Sequence, residues 1–349
     1  MTARFADRLL AWFDAHRRDL PWRRTRDPWA IWVSEIMLQQ TRVEAVRAAW
    51  QRFVQRFPTP ASFAGASDDE LFAAWRGLGY YRRARLLRDG ARRVVAEHGG
   101  VVPNDPAALA ELPGIGDYTL GAIASIAFAQ ALPAVDGNVE RVAARHRGIA
   151  DEIRSRPARE RVRAAVLGWL DHERPGDFNQ ALMELGAMVC TPTSPACDRC
   201  PVAADCTARR AGTTAALPVR KPRRAPVAVT ARAACVLRGA CALGARVPDG
   251  EPNAGQVELP GAGVLVSATE AELAQALRRR FAARLELGPV LATVRHAITH
   301  HRIDLHAHAA TVRERGRLQW FPLDEATPWS TPARKVFGRL LGGEAPAQT

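Results

Sequence analysis

The 349-residue chain holds only two lysines, Lys221 and Lys335, and neither sits near any motif described below. Everything before Lys221 therefore lacks a side-chain amine for a Schiff base, since arginine does not deprotonate to a nucleophile. Long apolar runs are missing too. None approaches the ~18 residues of a membrane-spanning helix and the start lacks a signal-peptide core, so a cytoplasmic chain without a membrane partner is expected. No internal repeat or long low-complexity tract occurs, so neither a solenoid nor a disordered tail explains the length. At roughly 100–200 residues per domain, two domains are expected.

What the chain has in excess is arginine. Lys and Arg number 49 against 36 Asp and Glu, a net charge of +13, with 34 basic and 25 acidic residues before Ala225 and 15 and 11 from there on. A polyanionic partner fits this excess, because arginines replace the counterions condensed on phosphates. The abundance of Arg and Ala also fits a compositionally biased genome, so charge alone points to nucleic acid without requiring it.

From Phe5 to about Cys206 apolar residues recur at intervals of three and four, as in Leu9, Leu10, Trp12 and Phe13, and predict helices. Thr207 to Pro226 has little periodicity and many Arg and Pro residues, and reads as an exposed linker. Beyond it, β-rich runs at Val227 to Leu237, Gly263 to Ser267 and Leu291 to Val294 surround one helix, Glu270 to Leu285, which predicts a smaller α+β domain.

Four of the six cysteines fall in one short stretch, Cys190, Cys197, Cys200 and Cys206. A disulfide framework is not expected in a chain without export signals. Four thiolates at this spacing can hold one tetrahedral zinc or one 4Fe-4S cluster, and spacing alone does not choose. The unequal gaps differ from paired zinc knuckles, which favours iron-sulfur. Cys235 and Cys241 read as small core residues.

Leu112-Pro113-Gly114-Ile115-Gly116 separates helical segments at Pro106 to Glu111 and Tyr118 to Gln130. Gly114 and Gly116 allow a tight turn whose amides, at the next helix's N-terminus, suit a phosphate. Asp136 follows within Val135-Asp136-Gly137-Asn138-Val139, where it either caps the next helix or supplies an anion to a site, roles that are compatible. Glu35 stands in the apolar helix Trp29-Ala30-Ile31-Trp32-Val33-Ser34-Glu35-Ile36-Met37. Apolar surroundings raise a carboxyl pKa, although a nearby arginine partner is the alternative. A protonated Glu facing an ionised Asp is the pair that cleavage of an anomeric bond requires.

With these motifs, together with Leu20-Pro21-Trp22-Arg23, Gly77-Leu78-Gly79-Tyr80-Tyr81 and Phe178-Asn179-Gln180, the chain resembles the helix-hairpin-helix DNA glycosylases over residues 5–206, and within them the MutY adenine glycosylases. The resemblance implies a mainly α catalytic region at residues 1–206, with a six-helix lobe at about 25–132 and an iron-sulfur lobe at 1–24 plus 133–206. A linker at 207–226 and a MutT-like (Nudix-fold) α+β domain at 227–349 follow. It implies one 4Fe-4S cluster on the four cysteines, and a monomer in the bacterial cytoplasm, at the nucleoid when on DNA. The partner implied is double-stranded DNA carrying adenine opposite 8-oxoguanine or guanine. Glu35 matches the general acid, Asp136 the carboxylate beside the sugar cation, and Asn138 and Tyr118 helpers around that sugar. Leu20, Trp22, Arg23 and Gln180 match the adenine pocket, and Gln40 and Tyr80 match residues wedged into the base stack. The related endonuclease III branch places a lysine where this chain has Tyr118, so cleavage without a lyase step is expected.

The second half is more faintly similar to the domain that reads the oxidised guanine. Its helix from Ala271 to Arg280 carries too few carboxylates for metal-dependent hydrolysis, so a binding module is expected. Ile298-Thr299-His300 stands where the family commonly has Phe-Ser-His, leaving the Thr299 hydroxyl and the His300 imidazole for hydrogen bonds to DNA. The histidines at 296, 300, 301, 306 and 308 read as strand alternation, with metal binding the alternative.

Overall fold

Helices begin where the sequence supplies a cap and, often, a proline at the first position. In the computed structural model, which describes residues 4–222 and 224–342, Asp27 caps a helix opening on Pro28, Thr59 one opening on Pro60, and Asp105 one opening on Pro106. The helices are α1 (Phe5–His16), α2 (Pro28–Leu38), α3 (Val43–Arg56), α4 (Pro60–Ala64), α5 (Asp68–Ala74), α6 (Arg82–His98), α7 (Pro106–Ala110), α8 (Asp117–Phe128), α9 (Gly137–Arg147), α10 (Arg156–Trp169), α11 (Pro175–Met188) and α12 (Thr207–Arg210). The second half adds β1 (Val227–Cys235), β2 (Leu237–Arg238), β3 (Cys241–Arg246), β4 (Val257–Glu258), α13 (Glu270–Phe281), β5 (Arg284–Ile298), β6 (His301–Glu314), β7 (Gln319–Pro322) and α14 (Thr331–Leu341).

The chain divides into two units. The first comprises the described part of Met1–Ala66 with Gly77–Gly79 and Arg83–Pro222; the second comprises Ser67–Arg76, Tyr80–Arg82 and the described part of Arg223–Thr349. In the first unit, α1, α9, α10 and α11 share one apolar core through Leu9, Phe13, Val142, Val166, Phe178, Leu182 and Leu185. Around α2 and α3 the rings of Trp29, Phe53, Phe57 and Phe63 pack against one another. Every residue of α2 from Trp29 to Met37 is buried, which leaves Glu35 no route to bulk water along its own helix.

Residues 207–222, expected as linker, instead belong to the first unit. Ala208 and Leu217 are buried there, Val219 bridges Glu152, and Arg145 donates to the Leu217 carbonyl at 2.9 Å. A few apolar anchors in a polar segment were enough to tie it down. Residues 1–3, 223 and 343–349 of the expected spans lie outside the described residues.

The second unit is α+β. One sheet has the order β1-β6-β5, with β1 and β6 parallel and β5 and β6 a long antiparallel hairpin; in the other, β3 pairs with β2, β4 and β7. Of the clustered histidines, His296 lies on β5 and His301, His306 and His308 on β6, while His300 sits in the turn between them; only His306 and His308 keep the two-residue alternation, and His301 falls on the opposite face. Two expected bounds shift. The helix ends at Phe281, because Ala282 turns left-handed (φ 50°) and the chain re-enters a sheet at Arg284, and no strand forms at 263–267, where Gly263 has φ 123°.

Candidate active site

The carboxylates expected to act together do line one cavity. It measures about 710 Å³ and lies within the first unit, with Leu20, Trp22, Arg23, Glu35, Gln40, Gly114, Gly116, Tyr118, Asp136, Asn138 and Gln180 all in its wall. Gly114 adopts φ 83° at the turn entering α8, a conformation that a side chain disfavours, and a Cβ there would stand 3.1 Å from Leu86. Gly116 precedes α8 without a side-chain cap, so the first-turn amides of that helix receive no such acceptor.

Glu35 is 4% exposed, and its carboxylate accepts a short hydrogen bond from the Tyr118 hydroxyl, which also lies 3.4 Å from the Met183 sulfur. Burial raises the Glu35 pKa to about 7; the Tyr118 bond pulls it down, the charge of Asp136 pushes it up, and Arg23 pulls it down. Burial and the neighbouring carboxylates also hold the Tyr118 hydroxyl well above its ordinary pKa. The alternative of an arginine partner for Glu35 gives way to this tyrosine, since Arg23 spends its fork elsewhere.

Asp136 is the N-cap of α9. One oxygen accepts from the Asn138 and Val139 amides at 2.9 and 2.8 Å, and the other from the Asn138 side chain at 2.7 Å. Burial raises its pKa, but these donors and the Arg141 charge oppose the rise. Glu35 has a single hydroxyl donor where Asp136 has two amides, a side-chain amide and a helix N-terminus, so the shared negative charge settles on Asp136. The residue that caps α9 is thus also one that lines the cavity. Arg141 completes the arrangement by donating to Asn138 Oδ1 at 2.9 Å, the Gly186 carbonyl at 2.8 Å and the Cys190 carbonyl at 2.7 Å.

Glu184, on α11, was not singled out from sequence. It is 1% exposed and accepts from the guanidinium groups of both Arg18 and Arg23 and from the Arg18 amide. Burial alone would raise its pKa, yet the two arginines outweigh burial and hold it at about 2. Arg23 also donates to Gln180 Oε1 at 3.2 Å, so Glu184 anchors the wall that Leu20, Trp22, Arg23 and Gln180 form. The signal that found Glu35, a carboxylate on an apolar helix, was equally present here.

The other expected residues fall elsewhere. Tyr80 belongs to the second unit, 52% exposed with φ 48°. Thr299 and His300 form the tip between β5 and β6, Thr299 exposed with φ 54°. Cys190, Cys197, Cys200 and Cys206 line a separate small cavity, where the buried Arg145 guanidinium approaches the Cys190 sulfur at 3.4 Å. Among the described residues no group of three His, Cys, Asp or Glu side chains could hold a single metal ion. Four thiols lining one cavity are the donor set that a 4Fe-4S cluster takes. Cys235 is a buried core residue and Cys241 is partly buried.

Comparison with known proteins agrees. Residues 33–169 match the HhH-GPD superfamily base excision DNA repair proteins, and residues 190–206 match the iron-sulfur binding domain of endonuclease III. The latter match contains all four cysteines and assigns them to an iron-sulfur cluster. The adenine DNA glycosylase of Mycolicibacterium smegmatis is 44% identical over 218 residues, covering 62% of this chain and 73% of that protein. The human adenine DNA glycosylase is 48% identical over 215 residues, 59% of this chain; the match spans only 39% of the human protein's length, as it does 42% of the rat protein's. Among solved structures, a thermostable thymine-DNA glycosylase aligns with TM-score 0.56 and 29% identity over 59% of this chain and 95% of that one. A non-covalent endonuclease III–DNA complex aligns with TM-score 0.51 and 25% identity over 59% and 94%. Glu35, Tyr118, Asp136 and Asn138 fall within the HhH-GPD match, and with the mycobacterial relative covered over 73% of its length the chain belongs to the MutY family of adenine DNA glycosylases.

Proposed function

We propose that the chain is a monofunctional base-excision repair glycosylase that hydrolyses the N-glycosidic bond of adenine mispaired with 8-oxoguanine or guanine in duplex DNA, leaving an abasic site. The observation that carries this reading is the pair of carboxyls in one cavity with opposed environments: Glu35 buried with a pKa near neutrality, and Asp136 held by helix amides and Asn138. The base must leave the duplex first, because its glycosidic bond is unreachable inside the stack. Glu35 gives its proton to a ring nitrogen of the extruded adenine, so the base departs neutral with the bonding electrons of its link to the sugar. Asp136 faces the cation left at the anomeric carbon. Water then adds there, and its proton passes to a carboxylate.

Tyr118 and Asn138 orient the two carboxyls, while Glu184 fixes Arg23 against Gln180 in the pocket wall. Cys190, Cys197, Cys200 and Cys206 would hold a 4Fe-4S cluster, which supplies structural and DNA-binding support and takes no part in hydrolysis. No lysine precedes Lys221, so no side-chain amine is at hand for a lyase step. The hairpin amides at Gly114 and Gly116 grip a phosphate. The second unit serves as a MutT-like reader of the opposite base through Thr299 and His300, its exposed hairpin tip being the support for that role.

The test is release of free adenine from a mismatched duplex by wild type, Asp136→Asn and Glu35→Gln. Both variants should bind the duplex yet release no base; normal turnover in both would sink the mechanism.

A further inference from the structure

Two turns in the first unit meet at one guanidinium that the mechanism has not used. The first follows α2, where Gln39, Gln40 and Thr41 border the cavity and Gln40 is exposed with φ 56°. The second is Gly77–Gly79, with φ 83° at Gly77 and 67° at Gly79. Arg83, on α6 and 8% exposed, reaches both. Its Nη1 donates to the carbonyls of Ile36 (2.7 Å), Met37 (3.1 Å) and Gln39, and its Nη2 to Thr41 Oγ1 (3.0 Å) and the carbonyls of Leu78 (3.1 Å) and Gly79 (3.2 Å). Thr41 Oγ1 closes the join with its own bond to the Leu78 carbonyl at 3.2 Å.

Carbonyls at a helix C-terminus lack partners within the helix and sit at the negative end of its dipole, so a buried cation is favoured there. A left-handed backbone at a glutamine persists only where its surroundings over-determine it. Arg83 supplies that constraint. A planar fork can bond two turns at once, whereas a lysine ammonium is a point donor that cannot span them.

We infer that Arg83 is a positioning residue that locks the Gln40 turn and the Gly77–Gly79 turn in the shape needed to extrude the target base. This rests on the glycosylase reading above. It predicts a defect in extrusion and not in bond cleavage.

The experiment compares wild type with Arg83→Lys, each as the full cluster-bearing chain, by single-turnover adenine release at saturating enzyme. One substrate is a fully stacked mismatched duplex; the other places the same adenine in an unpaired bubble. A duplex with 2-aminopurine at the target position reports extrusion by fluorescence. Arg83→Lys should lose about tenfold or more on the stacked duplex, because small misplacements carry such costs. It should lose less than about threefold on the bubble, where unstacking is already done, with a weaker 2-aminopurine signal. Equal losses on both substrates with the fluorescence intact would overturn the inference, as would no loss on either. Should Arg83→Lys fail to fold, Thr41→Val removes one bridging acceptor and should show the same selective loss in smaller measure; a uniform loss there overturns it as well. Wild type inactive on both substrates would instead overturn the glycosylase reading.

Discussion

Replacing Tyr118 with phenylalanine should move the alkaline limb of the pH–rate profile to higher pH. In the wild type Glu35 must be protonated to act, and with its pKa at about 7 the single-turnover rate should begin to fall near neutrality. It should drop about tenfold per pH unit beyond, reaching about one-hundredth of the plateau roughly two units higher, as expected of a single general acid. The Tyr118 hydroxyl bonds the Glu35 carboxylate and so favours its charged form. Phenylalanine removes that bond but keeps the ring and the burial. Glu35 then binds its proton more tightly, and at a given alkaline pH a larger fraction of the enzyme holds the acid ready. The plateau itself should fall, because the carboxyl is less firmly oriented. The assay is adenine release at saturating enzyme between about pH 5 and pH 9.5, each profile normalised to its own maximum. An alkaline limb that stays in place or moves down in Tyr118→Phe would refute the reasoning. So would a wild-type profile without such a limb.

Three further outcomes are expected. Glu35 is held above its unfolded pKa of 4.5, so the folded state binds its proton more tightly, and stability is lost as pH rises through about 7. Glu35→Gln should then melt higher than wild type at alkaline pH, by an equivalent of about 3 kcal/mol, and the gain should vanish at mildly acidic pH; an equal or lower melting temperature at alkaline pH would contradict this. Glu184 has the opposite sign, since its contribution is complete above the unfolded value and is lost as pH falls through about 2. Glu184→Gln should cost about 3 kcal/mol at neutral pH, by denaturant unfolding, because it leaves Arg18 and Arg23 without their shared anion; a neutral substitution would show that the clamp is unimportant. Purified wild type should contain iron, about four atoms per chain, and no stoichiometric zinc. Cys197→Ser should lose the visible iron-sulfur absorption and weaken duplex binding, and one zinc atom in place of iron would refute the cluster assignment.

Much of the site was legible because its residues break local rules. Glu35 is an acid in a run of buried apolar residues, Asp136 sits at a helix start, and four cysteines crowd the stretch from 190 to 206. What pattern cannot report is which partner a buried charge finds across the fold. Glu35 faces Tyr118 and not an arginine, Arg23 turns to Glu184, and Arg83 bridges two turns, each contact joining residues far apart in the chain. The helical unit was easier to read than the α+β unit because helix periodicity is a local property. At 263–267 the apolar run finds no neighbouring strand, whereas the two residues of β4 find β3, so long-range pairing decided the strands. The bounds of α13 depended on one left-handed residue, Ala282, which propensity does not announce.

Adenine excision without strand cleavage can be read from a single experiment. Duplexes carrying adenine opposite 8-oxoguanine, guanine or thymine are incubated with the intact chain under single-turnover conditions and scored for base loss and strand breaks before and after alkali. Adenine should be released fastest opposite 8-oxoguanine, with breaks only after alkali. Breaks without alkali would contradict the monofunctional mechanism, and no adenine loss from any duplex would contradict adenine excision itself.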